Sequence, residues 1–233
     1  SIGQYSLYSN LSGSSNTALG ANALRSNTAS QNTAVGAIAL YSNTTGIYNT
    51  AVGYAANNAN TIGGYNTSLG YSALSTCTTS NYNTAVGANA LYNLTGVASS
   101  CTAIGNAAGT NNTSGDVNTY IGAAAGGNNP TGGSNTIVGA LAGGWGNGAV
   151  ASFSNNSALG YLALYKVTTG GGNVAIGTQS LQNTTTGVNN TAVGLTALTN
   201  NTTGQSNVAV GVNAGYTQQT ATDNVYLGYY AGY

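Results

Sequence analysis

Charged side chains are almost absent from this 233-residue chain, in which Lys and Arg total 2, Asp and Glu total 2, and His is missing. Without His, neither a Ser-His-Asp nor a Cys-His nucleophile can be assembled. The two acids, Asp116 and Asp223, lie far apart in the sequence, and together with the two cysteines they are too scattered to predict the grouped three or four ligands of a zinc site. We therefore predict that the chain is not an enzyme and needs no cofactor or metal.

Other scarcities exclude further classes of protein. A net charge of zero leaves no basic surface for nucleic acid. The chain has 36 Gly but only 1 Pro, with no Gly-X-Y period, so it is not a collagen. No apolar run approaches the roughly 18 residues of a membrane span. At 41% hydrophobic residues the chain is also too apolar for charge-rich disorder, and a folded core is expected.

One repeat fills the sequence, with the consensus Asn-Thr-Ala-Val-Gly-x-x-Ala-Leu followed by a polar turn. Positions below are counted from its glycine, called the anchor. Successive anchors are 17 residues apart in ten of thirteen intervals, with single intervals of 16, 18 and 21. The fourteen anchors are Gly3, Gly20, Gly36, Gly53, Gly70, Gly87, Gly105, Gly122, Gly139, Gly160, Gly177, Gly194, Gly211 and Gly228.

A unit this short, with an alternating β-branched segment and an Asn/Thr/Gly turn, predicts one strand and one turn of a solenoid. A single unit cannot bury its own apolar side chains, whereas stacked units can. We therefore predict an all-β, parallel β-solenoid of about 14 coils of about 17 residues, forming a single domain over 1–233. The anchor glycine is expected to mark a bend that requires positive φ or a close backbone approach.

Stacking turns each repeat position into a column of equivalent side chains. The residue at −1 is always aliphatic, and we predict that this column points inward and forms the core: Val35, Val52, Val86, Ile104, Ile121, Val138, Ile176, Val193 and Val210. Position −4 predicts a hydrogen-bonded amide ladder. Its members are Asn16, Asn32, Asn49, Asn66, Asn83, Asn118, Asn135, Asn156, Asn173, Asn190, Asn207 and Asn224.

The segments Asn173–Gly177 and Asn207–Gly211, which read NVAIG and NVAVG, resemble the head repeats of YadA-like trimeric autotransporter adhesins. The commoner NTAVGxxAL form is similar to repeat arrays in tail-fibre-like proteins of bacteriophages and bacteria. The resemblance covers essentially the whole chain. It implies a left-handed β-roll, three chains around one axis, and surface attachment outside the cell or on a virion.

Position −2 gives a separate indication of self-association. If position −1 points inward, its neighbour at −2 points outward, because side chains alternate along a strand. That column is Ala or Ser in eleven of fourteen units, which is unusual for a solvated surface. A small apolar stripe of this kind predicts a homo-oligomer. No capping segment is recognisable at either end, so we expect either a fragment of a longer fibre or a subunit that stacks end to end into a filament.

Aromatic residues are the candidate binding residues. Of 17 Tyr, six at position +5 are expected to face outward: Tyr8, Tyr41, Tyr92, Tyr165, Tyr216 and Tyr233. They either contact a surface glycan or protein, or form a packed aromatic ladder or a shield over an oligomer interface. An insertion at about 143–156 carries Trp145 and Phe153, the one Trp and one Phe of the chain. It predicts either a contact loop or a bulge whose aromatic side chains fold back onto the solenoid.

Two further features leave alternatives open. Cys77 and Cys101 form a candidate disulfide, or else two buried thiols. A column of Thr at +8 either orders water, as in ice-binding solenoids, or caps its own turns. It comprises Thr28, Thr44, Thr61, Thr78, Thr95, Thr113, Thr168, Thr185 and Thr202.

The sequence thus favours a noncatalytic structural and adhesive rod of an extracellular trimeric fibre, either a surface adhesin or a phage tail fibre. The alternatives are a self-assembling extracellular filament subunit and, less favoured, an ice-binding solenoid.

Overall fold

In the computed structural model, which describes residues 1–144 and 151–233, the described residues are all-β and contain no helix. They form a parallel β-solenoid of about 12 coils of about 17 residues, which confirms the predicted fold class but not the predicted count of about 14 coils. The chain divides into two compact units, Ser1–Val117 and Asn118–Tyr233. Every strand is three residues long and occupies positions −3 to −1 of a repeat.

In the first unit, neighbouring strands pair in parallel and in sequence order, and Ile2 adds a parallel bridge to Leu19. Its strands are β1 (Thr17–Leu19), β2 (Thr33–Val35), β3 (Thr50–Val52), β4 (Thr67–Leu69), β5 (Thr84–Val86) and β6 (Thr102–Ile104). The second unit follows the same order. Its strands are β7 (Thr119–Ile121), β8 (Thr136–Val138), β9 (Ser157–Leu159), β10 (Val174–Ile176), β11 (Thr191–Val193), β12 (Val208–Val210) and β13 (Val225–Leu227).

Equivalent repeat positions lie directly above one another within each unit. Thr50, Ala51 and Val52, for example, are in register with Thr33, Ala34 and Val35. The pairing continues outside the strands, since the Leu40 amide donates to the Ala56 carbonyl and the Ile38 amide to the Ala21 carbonyl. Each coil therefore bonds to its neighbours around most of its circumference, as stacking of short units requires.

The anchor glycines combine both properties predicted for them. Gly70 has φ +136, and a Cβ placed on it would lie 2.7 Å from the carbonyl carbon and oxygen of Gly87, the anchor of the next coil. Only glycine adopts this conformation readily. The anchor column is thus where neighbouring backbones approach most closely, so a side chain there would push the coils apart.

The predicted core column is wrong in its orientation. The nine aliphatic residues at −1 are partly or well exposed, while the residues at −2 are buried. The corrected residues are Val35, Val52, Val86, Ile104, Ile121, Val138, Ile176, Val193 and Val210. The alternation of buried and exposed side chains along the strand is confirmed, but position −2 is the buried one and position −1 the exposed one. The small residues at −2 therefore do not form the outward stripe that was expected to mediate association.

The core explains why a small residue faces inward. Ala18, Ala34 and Ala51 cluster with Leu24, Leu40 and other buried residues of positions +3 and +4. A coil only 17 residues around has little internal space, and the Leu at +4 takes most of it. A methyl group is what fits opposite that Leu, so the larger aliphatic side chains are placed on the outer face of the strands.

The Leu column has an unusual backbone. Leu24, Leu40 and Leu91 have φ of 50, 48 and 48, in the left-handed region that a bulky residue rarely adopts. Glycine is the commonest replacement for Leu in this column, and Gly126 there has φ 58. The left-handed conformation accounts for that exchange, because glycine adopts it without strain.

Asn57 occupies the Leu column between Leu40 and Leu74, and the environment does not suit it. The side chain is fully buried, and neither amide atom has a hydrogen-bond partner. A buried polar group without partners costs about 1–3 kcal/mol. Replacement Asn57→Leu is therefore expected to raise the free energy of unfolding by about 1–3 kcal/mol, measured by chemical denaturation.

Asn49→Leu is the matched control for this change. Its amide group donates to the Gly63 carbonyl and accepts from the Asn66 amide, so the same substitution should destabilise the protein there. A lower stability of Asn57→Leu than of the parent chain would show that the Asn57 amide is satisfied.

Candidate functional site

The strands present an outward face of two columns, which we call the strand face: position −3, mostly Thr, and position −1, always aliphatic. Both columns are partly or well exposed along each unit. Leu69, in the middle of the first unit, is 47% exposed. Among the described residues, no strand contains a charged side chain. Each unit therefore displays a regular, uncharged, half-apolar surface in which equivalent side chains recur at the strand spacing of about 4.8 Å.

The −4 amides lie beneath one end of this face. Ten of the twelve Asn backbone amides donate to the side-chain oxygen of the preceding Asn at 2.9–3.1 Å, as the Asn49 amide does to Asn32. The side-chain amide donates in turn to a turn carbonyl, as from Asn32 to Gly46. All are buried except Asn16 and Asn224, which are half-buried. These groups are fully used within the chain, so they hold the coils together and do not bind a ligand.

A second amide column at +7 was missed by the sequence analysis. The Asn43 side-chain amide donates to Asn27 Oδ1 at 2.6 Å, and that of Asn60 to Asn43 Oδ1 at 2.7 Å. The Asn43 and Asn60 side-chain amides also donate to the carbonyl three residues later in the chain, that of Gly46 and Gly63 respectively. The same two carbonyls accept hydrogen bonds from the −4 side chains of Asn32 and Asn49. In the sequence, this column is visible as Asn recurring at +7. It is hard to recognise there because the surrounding turns are themselves rich in Asn, Thr and Gly.

The predicted +5 tyrosines lie outside the core, as expected of contact residues. Tyr8 and Tyr233 are exposed, whereas Tyr41, Tyr92, Tyr165 and Tyr216 are half-exposed. Arg25 is also at +5, and its guanidinium lies 5.5–5.9 Å from the ring centroids of Tyr5, Tyr8 and Tyr41 and donates to the Tyr41 hydroxyl at 2.7 Å. These rings therefore surround a cation that the chain itself supplies.

Two other tyrosine columns were not predicted. Position −5 carries Tyr48, Tyr65 and Tyr82, whose rings stack in series with centroids 4.9 and 5.1 Å apart. Position +1 carries Tyr54 and Tyr71, stacked at 5.6 Å. All five are exposed. Register places these rings in contact, because tyrosines 17 residues apart occupy the same position in successive coils.

The insertion is described only in part. Trp145 lies outside the described residues. Phe153 is fully buried, and a Cβ added to Gly144 would lie 2.5 Å from its ring. Its carbonyl accepts hydrogen bonds from the side-chain amides of Asn129 and Asn135. Phe153 thus packs into the solenoid, the second of the two predicted alternatives, and is removed from the candidate contact residues.

Cys77 and Cys101 are buried thiols, and the candidate disulfide between them is not formed. They belong to different columns, +7 and −4, and replace Asn in each. The Cys101 Sγ donates to the Gly115 carbonyl at 3.2 Å. Burial raises the pKa of the Cys77 thiol, outweighing its hydrogen bonds with Ser80. A thiol held in its protonated form in the core is a poor nucleophile.

Six of the nine Thr residues at +8 use their hydroxyls within the chain. Thr28, Thr44 and Thr61 each donate from Oγ1 to a carbonyl of the next coil, at 2.9–3.0 Å, and Thr168, Thr185 and Thr202 do the same at 2.9–3.2 Å. These hydroxyls therefore bond between neighbouring coils, which differs from both predicted alternatives, an ordered water layer and a cap on the residue's own turn. Hydroxyls committed to the backbone donate no hydrogen bond to an ordered water layer.

Comparisons with known proteins identified no relative: no family model, no curated protein and no solved structure matches this chain. Within residues 1–144 and 151–233, no helix is long and apolar enough to cross a membrane. In the same residues, no three His, Cys, Asp or Glu side chains are grouped as metal ligands. The strand face and the exposed tyrosines are consequently the surfaces from which a function is inferred.

Proposed function

We propose that the chain is a noncatalytic structural and adhesive segment of an extracellular fibre on a cell or virion surface. In this proposal three copies associate through their strand faces and leave the tyrosine-bearing turns available for contact. The observation that carries the proposal is the strand face itself, an uncharged and regular surface with a continuous aliphatic column. The number three and a left-handed winding come from the resemblance to trimeric adhesin repeats.

The composition of the strand face favours another copy of this chain as the occupant. Contiguous exposed apolar surface usually marks an interaction site, and depletion of charge is typical of the centre of an interface. A surface without charge carries no electrostatic repulsion against itself. Copies also share the same coil spacing, so their columns match along the strand face of each unit.

Position −3 distinguishes association from the ordering of water. Its Thr is replaced by Val in three strands of the second unit, at Val174, Val208 and Val225. Val keeps the branched shape of Thr but lacks the hydroxyl. A face that retains shape while losing hydroxyls is suited to close packing, and this supports assembly over ice binding.

A charge placed on the strand face should prevent association. We expect the parent chain to be a trimer and Leu69→Lys to be a monomer of unchanged secondary structure, because burying an ammonium group in an apolar interface without a partner is costly. Molar mass from light scattering and sedimentation, together with circular dichroism, measures both properties.

Thr45→Lys is the matched control, since Thr45 is an exposed turn residue away from the strands. It should leave the trimer intact. A parent chain that is monomeric at all concentrations, or a Leu69→Lys variant that stays trimeric, would contradict the proposal. Indefinite fibres of the parent chain in electron micrographs would instead favour the filament alternative.

A further inference from the structure

A groove on the first unit is lined by Tyr71, Ser72, Asn89, Tyr92, Ala107 and Thr110 and has a volume of about 360 Å³. These residues come from the turns that follow three successive anchors, Gly70, Gly87 and Gly105, and not from the strands. The volume falls at the lower end of the range of small-molecule sites, roughly 300–1,000 Å³. The groove is therefore large enough for a small ligand and separate from the strand face.

One ring face of Tyr71 is available on the side of this groove. Tyr71 stacks on Tyr54 of the preceding coil with an interplanar angle of 11°, so its other face is directed toward the following coil. The residue at the same position there is Ala88, which has no ring to cover it. Tyr65, by contrast, stacks between Tyr48 and Tyr82 and has both faces covered. Tyr71 is thus the end of a stack, which leaves a flat apolar surface exposed.

The polar side chains beside that ring make no hydrogen bonds within the described residues. They are the hydroxyls of Ser72, Tyr92 and Thr110 and the amide of Asn89. Hydroxyls both donate and accept, and an amide offers an acceptor oxygen beside a donor nitrogen. None of the lining residues is charged. The groove therefore combines one aromatic plane with several neutral hydrogen-bonding groups.

We infer that this groove binds a neutral sugar unit of a surface glycan. A pyranose ring has an apolar face of C–H groups, which suits the open face of Tyr71, and adjacent hydroxyls, which suit the Asn89 amide and its neighbours. The absence of charge in the lining favours a neutral sugar over a sialic or uronic acid. The inference rests on the proposed adhesive function and specifies the class of ligand and its position.

Saturation-transfer NMR on the purified chain tests the inference with the methyl glycosides of glucose, galactose, mannose and N-acetylglucosamine, and with N-acetylneuraminic acid as the charged comparison. We expect at least one neutral glycoside to bind, with the strongest transfer to its ring C–H protons. Tyr71→Ala should weaken that binding at least about 10-fold, equivalent to about 1.4 kcal/mol. Tyr71→Phe should retain it, and Asn89→Asp should weaken it.

Tyr65→Ala is the matched control, because Tyr65 is 47% exposed and stacked but borders no part of this groove, whereas Tyr71 is 58% exposed. It should bind as the parent chain does. The inference is wrong if no neutral glycoside binds, if only N-acetylneuraminic acid binds, or if Tyr71→Ala binds normally. A trimer without sugar binding overturns this inference alone, whereas a monomer that binds sugar overturns only the proposed assembly.

Discussion

Gly70→Ala is expected to lower the free energy of unfolding by more than about 3 kcal/mol, which is a large effect for a single methyl group. One part of the cost is conformational, because φ +136 is strained for alanine and such strain amounts to about 1–3 kcal/mol. The other part is steric, because the new Cβ would lie 2.7 Å from the carbonyl of Gly87. Backbone held by hydrogen bonds on both sides cannot easily move away. Chemical denaturation followed by circular dichroism measures the loss.

Gly228→Ala separates the two parts. Gly228 is an anchor with a similar φ, +123, but nothing lies within 4 Å of a Cβ placed on it. It should therefore carry only the conformational cost and be clearly milder than Gly70→Ala. Equal losses at the two positions would show that close approach of the coils contributes nothing, and an unchanged stability of Gly70→Ala would contradict the role assigned to the anchors.

The second large effect on stability is expected from changing the side-chain sizes at positions −2 and +4, which face each other across the core. Position −2 is Tyr120 and position +4 is Gly126 in one coil, where most coils have Ala and Leu. A methyl group added to Gly126 would overlap the Tyr120 ring, and one added to Gly143 would lie 2.9 Å from Ile137. The two positions therefore share one space, which is filled from one side or from the other.

Either single change should destabilise the protein, while the pair should restore much of the loss. Tyr120→Ala removes a buried ring, at a cost of about 3–5 kcal/mol, together with its hydrogen bond from Asn129. Gly126→Leu overfills the site, at a cost of about 1–3 kcal/mol or more. The double variant recreates the Ala85 and Leu91 pair found elsewhere, so we expect a favourable coupling of about 1–3 kcal/mol. Denaturation of all four proteins completes the cycle.

Gly126→Leu combined with Leu181→Ala provides the control for this cycle. Leu181 is a buried residue three anchors further along the chain, so these two changes should be additive. Additivity in the Tyr120 and Gly126 pair as well would contradict a shared space. The left-handed φ of Gly126 does not itself prevent the change, since Leu91 has a similar φ in its own coil.

The repeat spacing was sufficient to predict the class of fold, the position of each strand and the stacking of equivalent residues. Glycines 17 residues apart and an alternating segment before each one leave little choice except coils in register. The −4 amides were likewise predictable, because an amide that recurs in twelve of thirteen coils is buried only if it bonds along the stack, as Asn32 and Asn49 do.

Which side chains point into the core, and which distant residues come into contact, was decided by the tertiary structure. Alternation has a period of two but does not say which set points inward, and Val35 faces out because Leu40 has already filled the coil that Ala34 lines. Tyr71, Asn89 and Thr110 are distant in the sequence and form one groove only after three coils are stacked. Sequence alone thus determined the winding and its period, whereas the limited space inside each coil decided which face became the core and which became the surface.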